Sequence, residues 1–317
     1  MNIQDIFSAR ERISPYLDPT PLDVAMSLQS GGSGVFLKLE CQQKQKTFKV
    51  RGALSKITSL TDEEKSRGIY AISSGNHGAG VSYAAQLLGI KNTRVYVPET
   101  APRAKVDKIK YYGAEVIQTG GDYDETHRNA VRDPAIQGMT YVNPGDDVQV
   151  AAGQGTIGLE ILEQNPDIEV IVVPIGGGGL ITGIGLAAKH LKPGIEVIGV
   201  QTEACPAMAS SLRDKTCYEE FPVRDSLCDA LVGGVFRLAY EMADKCIDDV
   251  LVVTEKGIAD ATARLLADEK VVAEPSSAVG IAALAQFPQR FAGKKTAVVI
   301  SGGNIDKELM KRLLAQS

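Results

Sequence analysis

The sequence predicts an α/β fold: two interleaved open parallel-sheet domains with helices on both faces. Three observations carry this expectation. Short β-branched runs alternate with amphipathic helical stretches nearly from end to end, the pattern of strand–helix–strand units that build parallel sheets. Turns of glycine and small polar residues directly follow such runs at 73–80, 176–179 and 301–304, where open parallel sheets bind ligands. No repeat, low-complexity tract or long polar linker divides the chain. A second domain must therefore be inserted into the first, not strung after it.

The candidate strands lie at 35–40, 68–73, 94–98, 115–119, 170–174, 196–201 and 296–301. Helix-like segments follow most of them, at 78–88, 101–112, 156–164, 181–191 and 306–315. The run Thr61-Asp62-Glu63-Glu64 has capping-box spacing and opens another helix. The N-terminus is polar and helical in pattern, without the basic flank and apolar stretch of a secretory signal.

Composition bounds the function. With 317 residues, 44% of them hydrophobic, the chain can form one large or two medium domains. A net charge of -5 and the lack of a basic run argue against nucleic acid or an anionic membrane as partner. No window is apolar for long enough to span a bilayer. The five cysteines are odd in number, scattered, and without a CxxC pair. They read as reduced thiols of a cytoplasmic protein, not as a disulfide or zinc framework.

Four consecutive glycines, Gly176, Gly177, Gly178 and Gly179, follow a β-branched run and precede a helical one. Glycine lets successive backbone N–H groups converge on an anion, and the helix behind adds its positive end. The loop has neither the Lys-Ser/Thr of a Walker loop nor the G-x-G-x-x-G spacing of a dinucleotide site. It points to a phosphate without saying whose, and it also suits a plain strand-to-helix turn. Lys49 stands between Phe48 and Val50. An amine held in apolar surroundings has a lowered pKa and attacks aldehydes, but composition does not rank Lys44, Lys46 and Lys49. Ser73, Ser74, Gly75, Asn76 and His77 end a strand and open a helix. Their N–H groups suit a carboxylate, and Asn76 can donate to a phenolate-like oxygen; the same residues also suit a simple helix cap. Ser301-Gly302-Gly303-Asn304 closes the last strand, either as a site or as a glycine turn.

Taken in order, these segments resemble the serine/threonine dehydratase family of tryptophan-synthase-β-like, fold-type II pyridoxal phosphate enzymes. That group includes serine racemases and relatives acting on 3-hydroxyaspartate. The likeness runs the whole length through Thr20-Pro21-Leu22, Phe48 to Ala53, Ser73 to His77, Pro98 to Pro102, Ala152 to Ile157, Pro174 to Leu180, Glu274-Pro275 and Ser301 to Asp306. It implies pyridoxal 5'-phosphate as cofactor, a small amino acid as substrate and a homodimer as assembly. It also implies a large cofactor-binding domain of 1–46 plus 147–317 and a smaller inserted domain of 47–146.

The roles follow residue by residue from that resemblance. Lys49 matches the Schiff-base lysine that also acts as base at Cα, and Phe48 lies beside the cofactor. Asn76 matches the donor to the ring's phenolic oxygen. The four glycines match the loop around the 5'-phosphate, and Ser301 matches the hydroxyl at the pyridine nitrogen. Ser73 to His77 match the loop whose backbone holds the substrate carboxylate. A serine hydroxyl cannot keep the pyridine nitrogen protonated as a carboxylate would, which weakens the ring as an electron sink. That favours expelling a β-substituent over transamination. The expected reaction is β-elimination of a β-hydroxy amino acid, such as threonine or serine, to a 2-keto acid and ammonia.

Several positions depart from the family pattern. Gln45-Lys46-Thr47 stand where Thr-Gly-Ser is common, and Lys46 is either a surface charge or a partner for an acidic substrate. Ser74 occupies the place of the second acid/base in racemizing relatives, where many threonine dehydratases have alanine. The alternatives are therefore a serine- or aspartate-type racemase using Lys49 and Ser74, a 3-hydroxyaspartate dehydratase and, more remotely, a non-catalytic homologue. Gln201 and Ala207 replace the acids that bind a divalent cation in several relatives, and Glu203 is out of register, so no such metal site is expected. Asp147 matches an acid near the substrate in some relatives, but a charge favoured at a helix N-terminus is the preferred reading. The chain ends soon after Ser301, so no C-terminal regulatory domain is expected.

Overall fold

The structure is a computed structural model that describes residues 1–29 and 34–315. Two sheets form its frame. The larger contains β1 (Leu22–Val24), β2 (Gly34–Lys38), β7 (Val170–Pro174), β8 (Glu196–Thr202), β9 (Asp249–Val253) and β10 (Lys295–Val299), in the order β1-β2-β10-β7-β8-β9. The smaller contains β3 (Ile69–Ile72), β4 (Thr93–Val97), β5 (Glu115–Gln118) and β6 (Thr140–Tyr141), in the order β5-β4-β3-β6. Every pairing is parallel except β1 with β2. The first half of the chain supplies the helices α1 (Ile3–Ile13), α2 (Lys49–Ser59), α3 (Asp62–Arg67), α4 (Asn76–Leu87), α5 (Arg103–Tyr111), α6 (Tyr123–Arg132) and α7 (Val148–Gln164). The second half supplies α8 (Gly179–Leu191), α9 (Ala207–Asp214), α10 (Arg237–Cys246), α11 (Glu255–Ala267), α12 (Pro275–Gln286), α13 (Pro288–Phe291) and α14 (Lys307–Leu314).

The strand pattern explains the layering. In β7 every residue is buried, as expected of a parallel strand covered on both sides. Successive side chains point to opposite faces: Val170 and Val172 pack with Ile258 of α11 and Val279 of α12. Ile171 and Val173 pack with Ile157 of α7 and Ile184 of α8. The smaller sheet is sandwiched in the same way. Ile69 and Ala71 meet Leu54 of α2 and Val81 of α4, while Ile72 and Tyr96 meet Ala130 of α6. The α/β architecture expected from the sequence is the one observed.

The differences are local. The strands β1, β6 and β9, and several helices between 207 and 291, are absent from the sequence reading. The strands β1 and β6 are too short, at 3 and 2 residues, for alternation to register. The helix expected at 156–164 begins at Val148. The glycines in its first half are contact points, not breakers. A Cβ on Gly153 would lie 2.6 Å from the Arg51 carbonyl oxygen, and one on Gly155 2.9 Å from that of Gly183. They let α7 pack directly against α2 and α8. The Thr61 capping box forms as expected, with Thr61 and Glu64 each accepting from the other's N–H.

The helix α2 is also anchored by charge. The buried Arg51 guanidinium bonds both carboxylate oxygens of Glu40 and both of Glu160, and it donates to Thr156 Oγ1. Buried Lys38 donates to Glu160 at 2.6 Å and to the Thr20 carbonyl oxygen at 2.7 Å. All five cysteines are free thiols. Among the described residues no helix is long and apolar enough to cross a membrane, and no His/Cys/Asp/Glu cluster could hold a metal ion. The Gln201 side chain instead accepts from the Ala209 N–H at 3.0 Å.

Candidate active site

The segment before α2 is stitched to the end of β10. Thr47 forms an isolated antiparallel bridge with Gly302. The Phe48 N–H donates to the Ser301 carbonyl at 3.1 Å, and the Gly303 N–H to that of Lys46 at 2.9 Å. Lys49 thereby opens α2 beside the Ser301 turn. Its Nζ donates to the Pro144 carbonyl oxygen at 2.9 Å and lies 5.1 Å from the Phe48 ring centroid. The side chain is half-buried and meets no carboxylate within ion-pair reach among the described residues. Burial lowers its pKa to about 8. Its place in the first turn, at the positive end of the helix dipole, acts in the same direction. Lys44 and Lys46 are exposed. The tertiary structure thus ranks three lysines that composition left equal. Lys46 and its neighbour Gln45 have φ of 58° and 65°, so this departure from the family pattern is accommodated in a left-handed turn that points the Lys46 side chain to solvent.

The glycine loop lies alongside. Gly178 has φ of 98° and caps α8 without a side chain, leaving the first N–H groups of the helix for an anion. A Cβ on Gly177 would lie 2.4 Å from the Phe236 ring, and one on Gly179 3.0 Å from Gly145 Cα. The same Pro144-Gly145 step that receives the Lys49 amine therefore packs against the loop. Amine and anion cradle share one wall. The cradle is one that any side chain would fill, which fits it to a phosphate.

At α4, the Ser73 hydroxyl accepts from the Gly75 N–H at 3.2 Å. A Cβ on Gly78 would lie 2.1 Å from the Ser73 carbonyl, so the loop folds tightly onto the helix start. The Ser74 hydroxyl makes no hydrogen bond among the described residues. His77 is buried, with Nε2 2.7 Å from the Val142 carbonyl oxygen. Burial first, and then Lys49, hold its pKa down at about 3. His77 is therefore neutral and faces the core; its backbone, not its ring, belongs to the loop. Asn76 donates from Nδ2 to Glu274 Oε1 at 2.9 Å and accepts at Oδ1 from Asn304 Nδ2 at 2.7 Å.

Ser301 is buried, with Oγ 3.0 Å from Ser277 Oγ. Ser277 in turn donates to the Gly302 carbonyl and accepts from its N–H, both at 2.7 Å. Sequence reasoning did not assign roles to Ser277, Glu274 or Asn304. The last two fall inside matched motifs, whereas nothing local marks Ser277. Asp147 caps α7, accepting from the Gln149 and Val150 N–H groups, and pairs with Lys56 at 2.7 Å. The preferred helix-terminus reading holds for it.

A nucleophilic amine, an anion cradle and a polar wall at the carboxyl ends of two parallel sheets define an enzyme that captures a phosphorylated aldehyde. The residues fit pyridoxal phosphate. The chain belongs to the pyridoxal-phosphate dependent enzyme family, whose model matches residues 13–303. It is 43% identical over 316 residues to an L-threonine ammonia-lyase of Thermotoga maritima, covering 99% of this chain and 78% of the relative. Among solved structures it resembles maize serine racemase, with TM-score 0.91, 34% identity, and coverage of 99% of this chain and 97% of that one. It also resembles the serine racemase of Dictyostelium discoideum, with TM-score 0.90, 34% identity, and coverage of 96% of this chain and 99% of that one. A solved threonine deaminase is equally near, with TM-score 0.89, 35% identity, and the same two coverages of 96% and 99%.

Proposed function

We propose that the protein is an ammonia-lyase that eliminates water from a small β-hydroxy amino acid, such as threonine or serine; hydrolysis of the released enamine takes that water back and yields a 2-keto acid and ammonia. The observation that carries this is the enclosed amine of Lys49, with its pKa at about 8 and, among the described residues, no carboxylate partner. Bound pyridoxal phosphate supplies an electron sink for the charge left when the Cα proton departs. The Lys49 Nζ holds the cofactor and then takes that proton, for which a pKa near neutrality suits it. Gly176 to Gly179 and the start of α8 hold the phosphate, Asn76 faces the ring oxygen and Phe48 lies beside the ring. Ser301, braced by Ser277, meets the pyridine nitrogen with a neutral hydroxyl. The N–H groups of Ser73 to His77 orient the substrate carboxylate. The division at 47–146 gives each sheet its own domain, with the cleft between them. A homodimer in the cytoplasm completes the reading.

The measurement that tests it is release of keto acid and ammonia across β-hydroxy amino acids of both configurations. No release from any of them overturns it. A second reading, racemization, is favoured by the unengaged Ser74 hydroxyl in the substrate loop. D-amino acid accumulating from L-substrate without keto acid would establish that reading instead.

A further inference from the structure

The orientation of the Asn76 amide is dictated by residues that touch neither reacting atom. Lys108 on α5 can only donate, and its Nζ lies 3.0 Å from Asn304 Oδ1. That fixes Asn304 Nδ2 as the donor end of its amide. Its two hydrogens go to the Gln45 carbonyl at 2.9 Å and to Asn76 Oδ1 at 2.7 Å. Asn76 Nδ2 is therefore also fixed as a donor, with one hydrogen spent on Glu274 Oε1 at 2.9 Å. The other Glu274 oxygen accepts from the Asn304 N–H at 3.2 Å. Flipping either amide would set donor against donor at Lys108 or acceptor against acceptor at Glu274. One Asn76 hydrogen is left over.

We propose that Lys108, Asn304 and Glu274 are positioning residues that hold Asn76 with its one free hydrogen toward the cofactor's ring oxygen, and that the charge on Glu274 sets how firmly they hold it. This rests on the role given to Asn76 above. The groups facing Glu274 are Asn76 from α4, the Asn304 N–H after β10, Asp229 before α10, Lys105 and Lys108 on α5, and Cys41. Asp229 and Lys105 pair with each other at 3.1 Å, so their opposed effects partly offset. Burial dominates and raises the Glu274 pKa to about 7. Above that value the carboxylate makes a charge-assisted bond to Asn76; below it the neutral acid makes a weaker one.

The test is the affinity of apo-protein for pyridoxal phosphate, read from the visible absorption band, for wild type and Glu274→Gln at about pH 6 and about pH 8. Comparing the two proteins at each pH cancels the titration of Lys49 and of the cofactor. At the higher pH the variant should bind roughly 3- to 10-fold more weakly, and at the lower pH nearly as well as wild type. Asn304→Ala, which frees the Asn76 amide to turn, should weaken binding at both. A ratio for Glu274→Gln that does not change with pH, or wild-type affinity in Asn304→Ala, overturns the inference alone. No band in wild type overturns the proposed function and the inference with it.

Discussion

Two groups of buried polar residues, one around Arg51 and one around Lys49 and Glu274, hold carboxyls that follow opposite rules. Lys49 and Arg51 are neighbours but one in the chain, which turns their side chains about 200° apart on a helix. On the Arg51 face the charges are matched, with Arg51 and Lys38 against Glu40 and Glu160. Burial alone would raise the pKa of Glu160, but Arg51 and Lys38 outweigh it and hold it below the usual carboxylate range. In the second group the Lys49 amine meets a carbonyl, and the Glu274 carboxyl meets amides. There desolvation wins, and both groups move toward neutrality, to about 8 and about 7. The comparison teaches that pairing converts a buried charge into an anchor, whereas withholding the partner converts it into a group that titrates where chemistry needs it.

The comparison can be broken first at Lys49. Lys49→Ala should abolish the visible band formed with pyridoxal phosphate and lower keto-acid formation by at least about 1,000-fold. Compared as apo-proteins, variant and wild type should differ by no more than about 1 kcal/mol in stability, because one hydrogen bond to a carbonyl but no ion pair is lost. On the other face the outcome should reverse. Arg51→Met strands the buried Glu40 carboxylate, leaves Glu160 with Lys38 alone, and should cost about 3–5 kcal/mol in urea unfolding. A loss below about 1 kcal/mol would reduce the cluster to the worth of a surface ion pair.

A smaller effect sharpens the contrast by pH. The nucleophile is the unprotonated amine, so the rate of cofactor capture by apo-protein should rise with pH and level off above the Lys49 value of about 8. A rate that keeps climbing toward about 10.4, the value of a free lysine, would show that burial has not shifted it. The smallest effect belongs to Asp147, which lies outside both clusters. Asp147→Ala removes a helix cap and should cost about 1 kcal/mol of stability with keto-acid formation unchanged. A many-fold loss of activity would return it to the substrate site.

Much of the fold was legible because it depends on local periodicity. The β-branched runs at 170–174 and 196–201 became β7 and β8, and the Thr61 capping box is a four-residue motif that forms by itself. The helix α7 was misjudged at its start because Gly153 and Gly155 look like breakers until the backbones of α2 and α8 arrive beside them. The helices packing against β8 and β9 carry no such local mark.

By itself the sequence determined which segments could carry chemistry: the four glycines after β7, the loop opening α4 and the turn after β10. Local chemistry could not rank Lys44, Lys46 and Lys49, a choice made by the family resemblance alone, and the sequence could not show how Lys49 is buried, orient the Asn76 amide, or reveal that Asp147 caps α7. These last three were decided by tertiary structure, for one physical reason. The pKa and direction of a polar group are set by its burial and its partners, and these come from far along the chain. Pro144 lies 95 residues from Lys49, and Glu274 lies 198 residues from Asn76. Spacing in sequence says nothing of such distances until the two sheets have brought their carboxyl ends together.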